Sequence, residues 1–343
     1  MTTPAATEPH AVVIVGGGQA GLATAFYLLR AGVDVLVLDD QDGPGGAWRH
    51  VWPSMTLFST ADFSNLPGIL MPAHNGFPPA DHVIDYLAAY ERRYAIPVER
   101  PVRVDRVEST GRALGEGRFL LRAGDRSWTA DHVVAATGTW ASPFVPRLPG
   151  TFSGRQWHSA NYPGVEPFRG TRVAVVGGAN SAAQIAAELT DVADVTWYTR
   201  REPQWMPDDV DGRVLFQRNR ERMLAILRGG EDPGADSLLG DIVMLPEVLA
   251  ARDSGRLHAT PMFTSLDELE QVSIDHLIWC TGFRPALGPI RALLKDRTPT
   301  VDGLHLVGYG DWVGPGSATI TGVGPYAKAA ARAIAESYGK TVR

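Results

Sequence analysis

Residues 11–39 read AVVIVGGGQAGLATAFYLLRAGVDVLVLD. The apolar run before Gly16 fits a strand buried on both faces. Gly16-Gly17-Gly18-Gln19-Ala20-Gly21 then spells G-x-G-x-x-G, and Leu22, Ala25, Phe26 and Leu29 recur at helical spacing. Gly32 stands where a left-handed residue closes such a helix. A second apolar run ends at Asp39, 23 residues after Gly16. Strand, glycine turn, helix, strand and acid in this order make a dinucleotide-binding unit of a doubly wound sheet. Gly16 allows the tight turn. Gly18 lets a pyrophosphate approach the backbone, and Gly21 lets the helix pack on the strand. The helix start at Gln19 and Ala20 faces the phosphates, and Asp39 is placed to accept from a ribose hydroxyl.

The pattern recurs. Residues 173–200 read VAVVGGANSAAQIAAELTDVADVTWYTR. Gly177, Gly178, Ala179, Asn180, Ser181 and Ala182 form the second loop, with alanine at the middle and third glycine positions. Ile185, Ala186 and Leu189 keep helical spacing. Twenty-three residues after Gly177 comes Arg200, followed by Arg201; on that count Arg200 sits where Asp39 sits in the first copy. An acid there reads a free 2′-hydroxyl, and arginine there suits a 2′-phosphate. The first unit is therefore expected to hold a dinucleotide such as FAD, and the second NADPH. Each unit is closed by strand, Thr-Gly and proline: HVVAATGTWASPFVP (132–146) with Thr137 and Gly138, and HLIWCTGFRPAL (276–287) with Thr281 and Gly282. The second unit lies between the two closures. The expected fold is α/β, two Rossmann-like dinucleotide-binding domains with the NADPH domain inserted into the FAD domain. The expected bounds are 1–147 and 277–343 for FAD and 153–272 for NADPH.

Composition agrees with a loop-rich enzyme. The chain has 343 residues, 44% of them hydrophobic and 20% charged, which excludes a disordered chain. Glycine and proline number 37 and 25, which favours turns over a helical bundle. A net charge of −6 argues against binding nucleic acid through phosphates. The single cysteine, Cys280, excludes a disulfide framework, a dithiol relay and a thiolate zinc cluster. There is no 18-residue apolar run and no leader pattern at the N-terminus. A cytoplasmic enzyme without a metal, acting on a small molecule, is the expectation, with a homodimer left open.

Three further segments point to a family. Gly45-Gly46-Ala47-Trp48-Arg49 follows Asp39. Phe152, Gly154, His158 and Tyr162 fit F-x-G-x-x-x-H-x-x-x-[FY] between the two units. Gly308-Tyr309-Gly310-Asp311 precedes an alanine-rich helix that begins near Val323. Together with the nested units, these resemble the flavin-containing monooxygenases among the two-dinucleotide-domain flavoproteins. Through MTLFSTADFSNLPG, PDDVDGRVLF and IWCTGFRPAL, the chain looks most like the compact flavin monooxygenase-like proteins of bacterial arsenic-resistance operons.

That resemblance implies FAD held by the first loop, Asp39, Gly46, Trp48, Val104, Thr137, Gly138, Gly310, Asp311 and Val323. It implies NADPH on the second loop with Arg200, Arg201, Thr281 and Gly282. NADPH would reduce FAD, and a flavin C4a-hydroperoxide formed with dioxygen would oxygenate a soft nitrogen or sulfur nucleophile. His158 is expected to be a satisfied junction histidine. The family's asparagine over the flavin has no aligned counterpart. The matching stretch is Leu57-Phe58-Ser59-Thr60, so Ser59 and Thr60 are the candidate catalytic hydroxyls, with Asn65 nearby. Two alternatives stay open. One is an NADPH-dependent flavin reductase or oxidase serving a quinone, ferredoxin or oxygen, because the asparagine is missing. The other is a non-catalytic redox-sensing flavoprotein, because Ala179 crowds the second loop. The span 203–262, with a helix suggested by Met223, Leu224, Ile226 and Leu227, could cover the flavin cleft or make a dimer contact.

Overall fold

The computed structural model describes residues 9–208, 210, 212–231 and 242–342, and at 215, 216, 219 and 227 the backbone alone. The first half runs β1 (His10–Val15), α1 (Gln19–Arg30), β2 (Val35–Leu38), α2 (Ala80–Arg93), β3 (Val98–Glu99), β4 (Arg106–Ser109), β5 (Phe119–Ala123) and β6 (Arg126–Ala135). The inserted part runs β7 (Arg155–His158), β8 (Arg172–Val176), α3 (Asn180–Leu189), β9 (Asp194–Thr199), α4 (Gly212–Leu227), α5 (Pro246–Asp253), β10 (Ala259–Pro261), α6 (Asp267–Gln271) and β11 (His276–Trp279). The chain then returns through β12 (Leu294–Lys295), β13 (Thr298–Pro299), β14 (Leu304–Leu306) and α7 (Val323–Ser337).

Two sheets result. The first has the order β3-β2-β1-β6-β5-β4, with β14 also on β6. Its β1, β2, β3, β6 and β14 run parallel, and β4-β5-β6 add an antiparallel wing. The second is fully parallel, β10-β9-β8-β11-β7. Strands covered on both faces read as continuous apolar runs: Val12, Val13 and Ile14, and likewise Val173, Ala174 and Val175, are completely buried. Helices α1, α2 and α7 cover one face of the first sheet. Helices α3 and α5 cover one face of the second.

One expected boundary moves. Position 277 falls inside β11, whose residues pair with β8 and β7 and so belong to the second sheet. The closing strand of the inserted unit must hydrogen-bond to that unit's own first strand, so the return crossing comes after Trp279. Gly32 has φ +70° just beyond α1, the left-handed closure read from the sequence.

A buried polar cluster ties β6 and β14 to α7. His132 Nδ1 and His305 Nε2 lie 3.3 Å apart, and His132 Nε2 meets Ser337 Oγ at 3.0 Å. Burial pushes both imidazoles down to about 4, and the neighbouring Arg118 adds to this. In the unfolded chain they titrate near 6.5. The unfolded state therefore binds more protons below that pH, and stability falls as pH drops from 6.5 towards 4. A His305→Gln variant should lose about one proton of that dependence, roughly 1.4 kcal/mol per pH unit. Urea unfolding at pH 7.5 and pH 5 would check it, and an unchanged slope would refute the role.

Candidate functional site

The two helix starts lie on either side of a tied junction. At the first, Gly16 N donates to Leu38 O at 2.8 Å, and a Cβ on Gly16 would lie 2.4 Å from Ala136 O, next to Thr137. Gly21 is required by packing, because its Cβ would lie 1.9 Å from Gly16 O. At Gly18 an added Cβ would meet only Gly46 Cα, at 4.0 Å, so space is open where a pyrophosphate would approach.

The second glycine turn stacks on the first. Gly45 and Gly46 have φ +118° and +54°, and a Cβ on Gly46 would lie 2.8 Å from Gly18 Cα. Trp48 Nε1 donates to Gln19 Oε1 at 2.9 Å, and Gln19 Nε2 donates to Ala318 O. Gly308 leaves no room beside Ala20, so the turn carrying Gly310 and Asp311 is brought to the start of α1. Val323 opens α7 and is fully buried. Thr137 Oγ1 lies 2.7 Å from the Tyr309 hydroxyl and donates to Ala286 O at 2.8 Å. The glycine loop, Trp48, Thr137 and the Gly310 turn thus converge on one cradle. Val104 is buried in the apolar cluster that also holds Val15, Leu38 and Tyr309.

Asp39 has a partner that the sequence reading missed. Its Oδ2 accepts from Arg100 Nε at 2.7 Å, and Arg100 spreads its other two nitrogens over the Glu91 carboxylate at 2.8 Å each. Arg100 lies 61 residues from Asp39, and no local motif announces the pair.

At the second helix start Gly177 N donates to Tyr198 O at 3.0 Å, and a Cβ on Gly177 would lie 2.4 Å from Cys280 O. This ladder corrects the count made along the sequence. Val15 pairs with Leu38, and Val176 pairs with Tyr198. Thr199, not Arg200, therefore matches Asp39, and Arg200 comes one step later. The second unit is one residue shorter between turn and strand end, with a ten-residue helix against twelve. Thr199 is buried, while Arg200 and Arg201 are exposed and have no acidic partner among the described residues. Gly178 faces open space. Asn180 Oδ1 accepts from Val243 N at 2.8 Å, so its side chain braces the segment before α5. Ser181 and Ala182 begin α3, and Ala182 is packed in the core.

The junction motif has a structural reason at each fixed position. Gly154 has no room for a Cβ, which would sit 2.5 Å from Asp275 O and from the Phe152 ring. His158 Nδ1 accepts from Ala160 N at 3.0 Å, so the proton is on Nε2, which donates to Gly282 O at 3.1 Å. Burial holds this imidazole below its ordinary pKa, so it is a neutral clip. Tyr162 packs on Phe168 with ring centres 5.5 Å apart. The two crossing strands are also tied to each other. Phe144 N donates to Gly282 O, Arg284 N to Ser142 O, and Thr281 Oγ1 to Phe144 O, and Trp140 stacks on Phe283.

Ser59 and Thr60 are placed differently from the expectation. Ser59 is buried with its hydroxyl on Ser64 Oγ at 2.9 Å, and the Thr60 hydroxyl donates to Asp62. Each hydroxyl makes one hydrogen bond within the turn that follows it. Asn65 is likewise committed, to Asp62 O and Met71 N. The insertion does reach this loop. Gly212 N donates to Phe58 O at 2.8 Å, and Arg213 lies over the Phe63 ring. Cys280 is buried, and burial pushes its thiol pKa up, so it is inert.

Comparison with known proteins agrees with this geometry. The pyridine nucleotide-disulphide oxidoreductase family matches residues 13–303. The structure of a flavin-containing monooxygenase from Stenotrophomonas maltophilia superposes with a TM-score of 0.83 at 40% identity, covering 97% of this chain and 100% of that one. A doubly substituted variant of the flavin monooxygenase from that organism gives a TM-score of 0.85 at 41% identity, with the same coverage. An uncharacterized CzcO-like oxidoreductase of Geobacillus kaustophilus is 26% identical over 334 residues, which is 91% of this chain and 94% of that protein. The chain belongs to the pyridine nucleotide-disulphide oxidoreductases and, at 41% identity along nearly its whole length, to the flavin monooxygenases among them.

Proposed function

We propose that the protein is an NADPH-dependent flavin monooxygenase that places one oxygen atom on the nitrogen or sulfur of a small soft nucleophile. The observation that carries this reading is a pair of helix-start cradles across one tied junction, one ending in Asp39 and the other in Thr199 followed by Arg200 and Arg201, which are exposed and have no acidic partner among the described residues. When bound, the cofactors supply the redox chemistry, NADPH the electron pair and FAD its passage to dioxygen. The protein's own residues position and enclose. The α1 amides and the open face of Gly18 would receive the FAD pyrophosphate, and Trp48, fixed by Gln19, closes one wall. The α3 start would receive the NADPH pyrophosphate, and Arg200 its 2′-phosphate. The Phe58 loop, capped by Gly212 and Arg213, keeps water from the space between the domains. The His158 clip and the Trp140–Phe283 stack hold that spacing fixed.

The experiment is turnover of the FAD-loaded protein under ¹⁸O₂ with an aryl methyl sulfide or a tertiary amine. One labelled oxygen in the product for each NADPH oxidised is the expected result. Labelled peroxide with no labelled product would instead support the reductase or oxidase reading, which the bonding of the Ser59 and Thr60 hydroxyls within their own turn favours. For the nucleotide, Arg200→Ala should raise the NADPH KM about tenfold or more and leave NADH almost unaffected, as loss of a charged hydrogen bond implies. Equal effects on both nucleotides would remove Arg200 from the site.

A further inference from the structure

The loop after Trp48 belongs to the first domain by sequence, yet it packs in the second. Trp52 is buried in the apolar cluster that holds Ile185, Leu245 and Val248, and Met55 and Phe58 lie against the same cluster. Leu57, between them, points the other way. It is buried with Val83 and Leu87 of α2, and its N–H donates to Pro78 O at 2.8 Å. Thr56 pairs with Pro79 in an antiparallel bridge. Residues 52–58 are thus a strap gripped by both domains, and Trp48 at its near end is fixed to Gln19 beside the FAD cradle.

One polar contact locks this strap to α3. Ser54 donates its hydroxyl to Glu188 Oε2 at 2.5 Å, across 134 residues of sequence. The other carboxylate oxygen, Oε1, is buried and makes no hydrogen bond among the described residues. Glu188 comes eight residues after Asn180, about 12 Å along α3 from the loop assigned to NADPH. A helix is stiff over that length, so α3 presents the nucleotide loop at its start and grips the strap near its end. Otherwise the domains are joined at the crossing strands, where Phe144 and Arg284 make their ties. A tie away from those strands resists twisting about them.

We infer that Ser54 and Glu188 are positioning residues: they register the strap on α3, and so fix the Trp48 wall of the FAD cradle relative to the nucleotide held by the same helix. Neither touches a reacting atom. They act through the strap, on the distance across which NADPH reduces FAD. The inference rests on that reduction, proposed above. A displacement of about 1 Å between reacting groups can cost a hundredfold in rate. Trp52 remains packed when the polar lock is cut, so the expected loss is smaller.

Two measurements on the FAD-loaded protein test this, with Ser54→Ala, Glu188→Leu and the double variant. The first is hydrogen exchange without nucleotide. Amides of residues 52–58 should exchange about fivefold or more faster in each variant, while those of α3 stay as in the parent. The second is anaerobic stopped-flow reduction by NADPH. The limiting rate should fall about tenfold in each single variant, with the NADPH Kd within about twofold of the parent. The double variant should be no slower than the slower single one, because both cut the same contact. Glu188→Gln, whose amide oxygen still accepts from Ser54, should keep most of the rate. Should Glu188→Leu fail to fold, Ser54→Ala, at an exposed position, against Glu188→Gln makes the same comparison. Unchanged exchange in 52–58, an unchanged reduction rate in Ser54→Ala, a change in Kd alone, or additive losses in the double variant would each overturn the positioning role. A parent whose FAD is not reduced by NADPH would overturn it together with the reading it rests on, and the parent trace alone separates that case.

Discussion

Gly18→Ala should yield a folded protein that purifies without flavin. The added methyl meets Gly46 Cα at 4.0 Å, an ordinary contact, so the protein alone tolerates it. It also occupies the face through which a pyrophosphate reaches the α1 amides, so FAD affinity should fall by roughly a hundredfold or more. Gly21→Ala should behave differently. Its methyl would sit 1.9 Å from Gly16 O, backbone against side chain, with nothing flexible to yield. Separation of α1 from β1 should cost about 3 kcal/mol or more, and the protein should unfold early whether or not FAD is present. The absorbance ratio at 450 and 280 nm after purification, with a thermal melt of each variant, separates the two. Retained flavin in Gly18→Ala would remove the pyrophosphate from this loop. An unchanged melt for Gly21→Ala would mean that α1 shifts without cost.

Much of this arrangement is local and therefore legible in the sequence. A strand, a glycine turn and a helix occupy one continuous stretch, so residues 11–39 and 173–200 announce both units and their cradles. Gly154 and His158 are also visible, because the junction needs a residue without a side chain and a side chain that caps its own turn. What escaped lies in pairing across long separations. Arg100 reaches Asp39 from 61 residues away, and Ser54 reaches Glu188 from 134. Register escaped too. Counting from Gly177 reached Arg200, yet the hydrogen-bond ladder aligns Thr199, because the shorter α3 removes one residue between the turn and the strand end. The hydroxyls of Ser59 and Thr60 were sensible candidates by type, but a serine or threonine in a tight turn bonds first to its own neighbours.

Arg100→Met should be among the most damaging single changes outside the glycine loops. The Arg100 and Asp39 side chains are 11% and 4% exposed, and Glu91 is 19% exposed. Removing the cation leaves two mostly buried carboxylates facing each other, and breaking a buried pair in this way costs about 3–5 kcal/mol. The damage should pass to the cofactor loop. A Cβ on Gly17 would lie 2.7 Å from the Asp39 carboxyl group, so that carboxylate sits directly against the loop. Val102 N also donates to Asp39 O at 2.7 Å, fixing the same residue through its backbone. An Asp39 released from Arg100 can turn away from the ribose position, so flavin should be lost at lower urea than the rest of the fold. Arg100→Lys keeps the charge but loses the three-nitrogen fork, and should recover part of the stability and little of the flavin retention. Urea unfolding followed by tryptophan fluorescence and, separately, by flavin release reads both effects. A loss below about 1 kcal/mol in Arg100→Met would place the triad with exposed ion pairs, and would leave Asp39 to be held by its backbone alone.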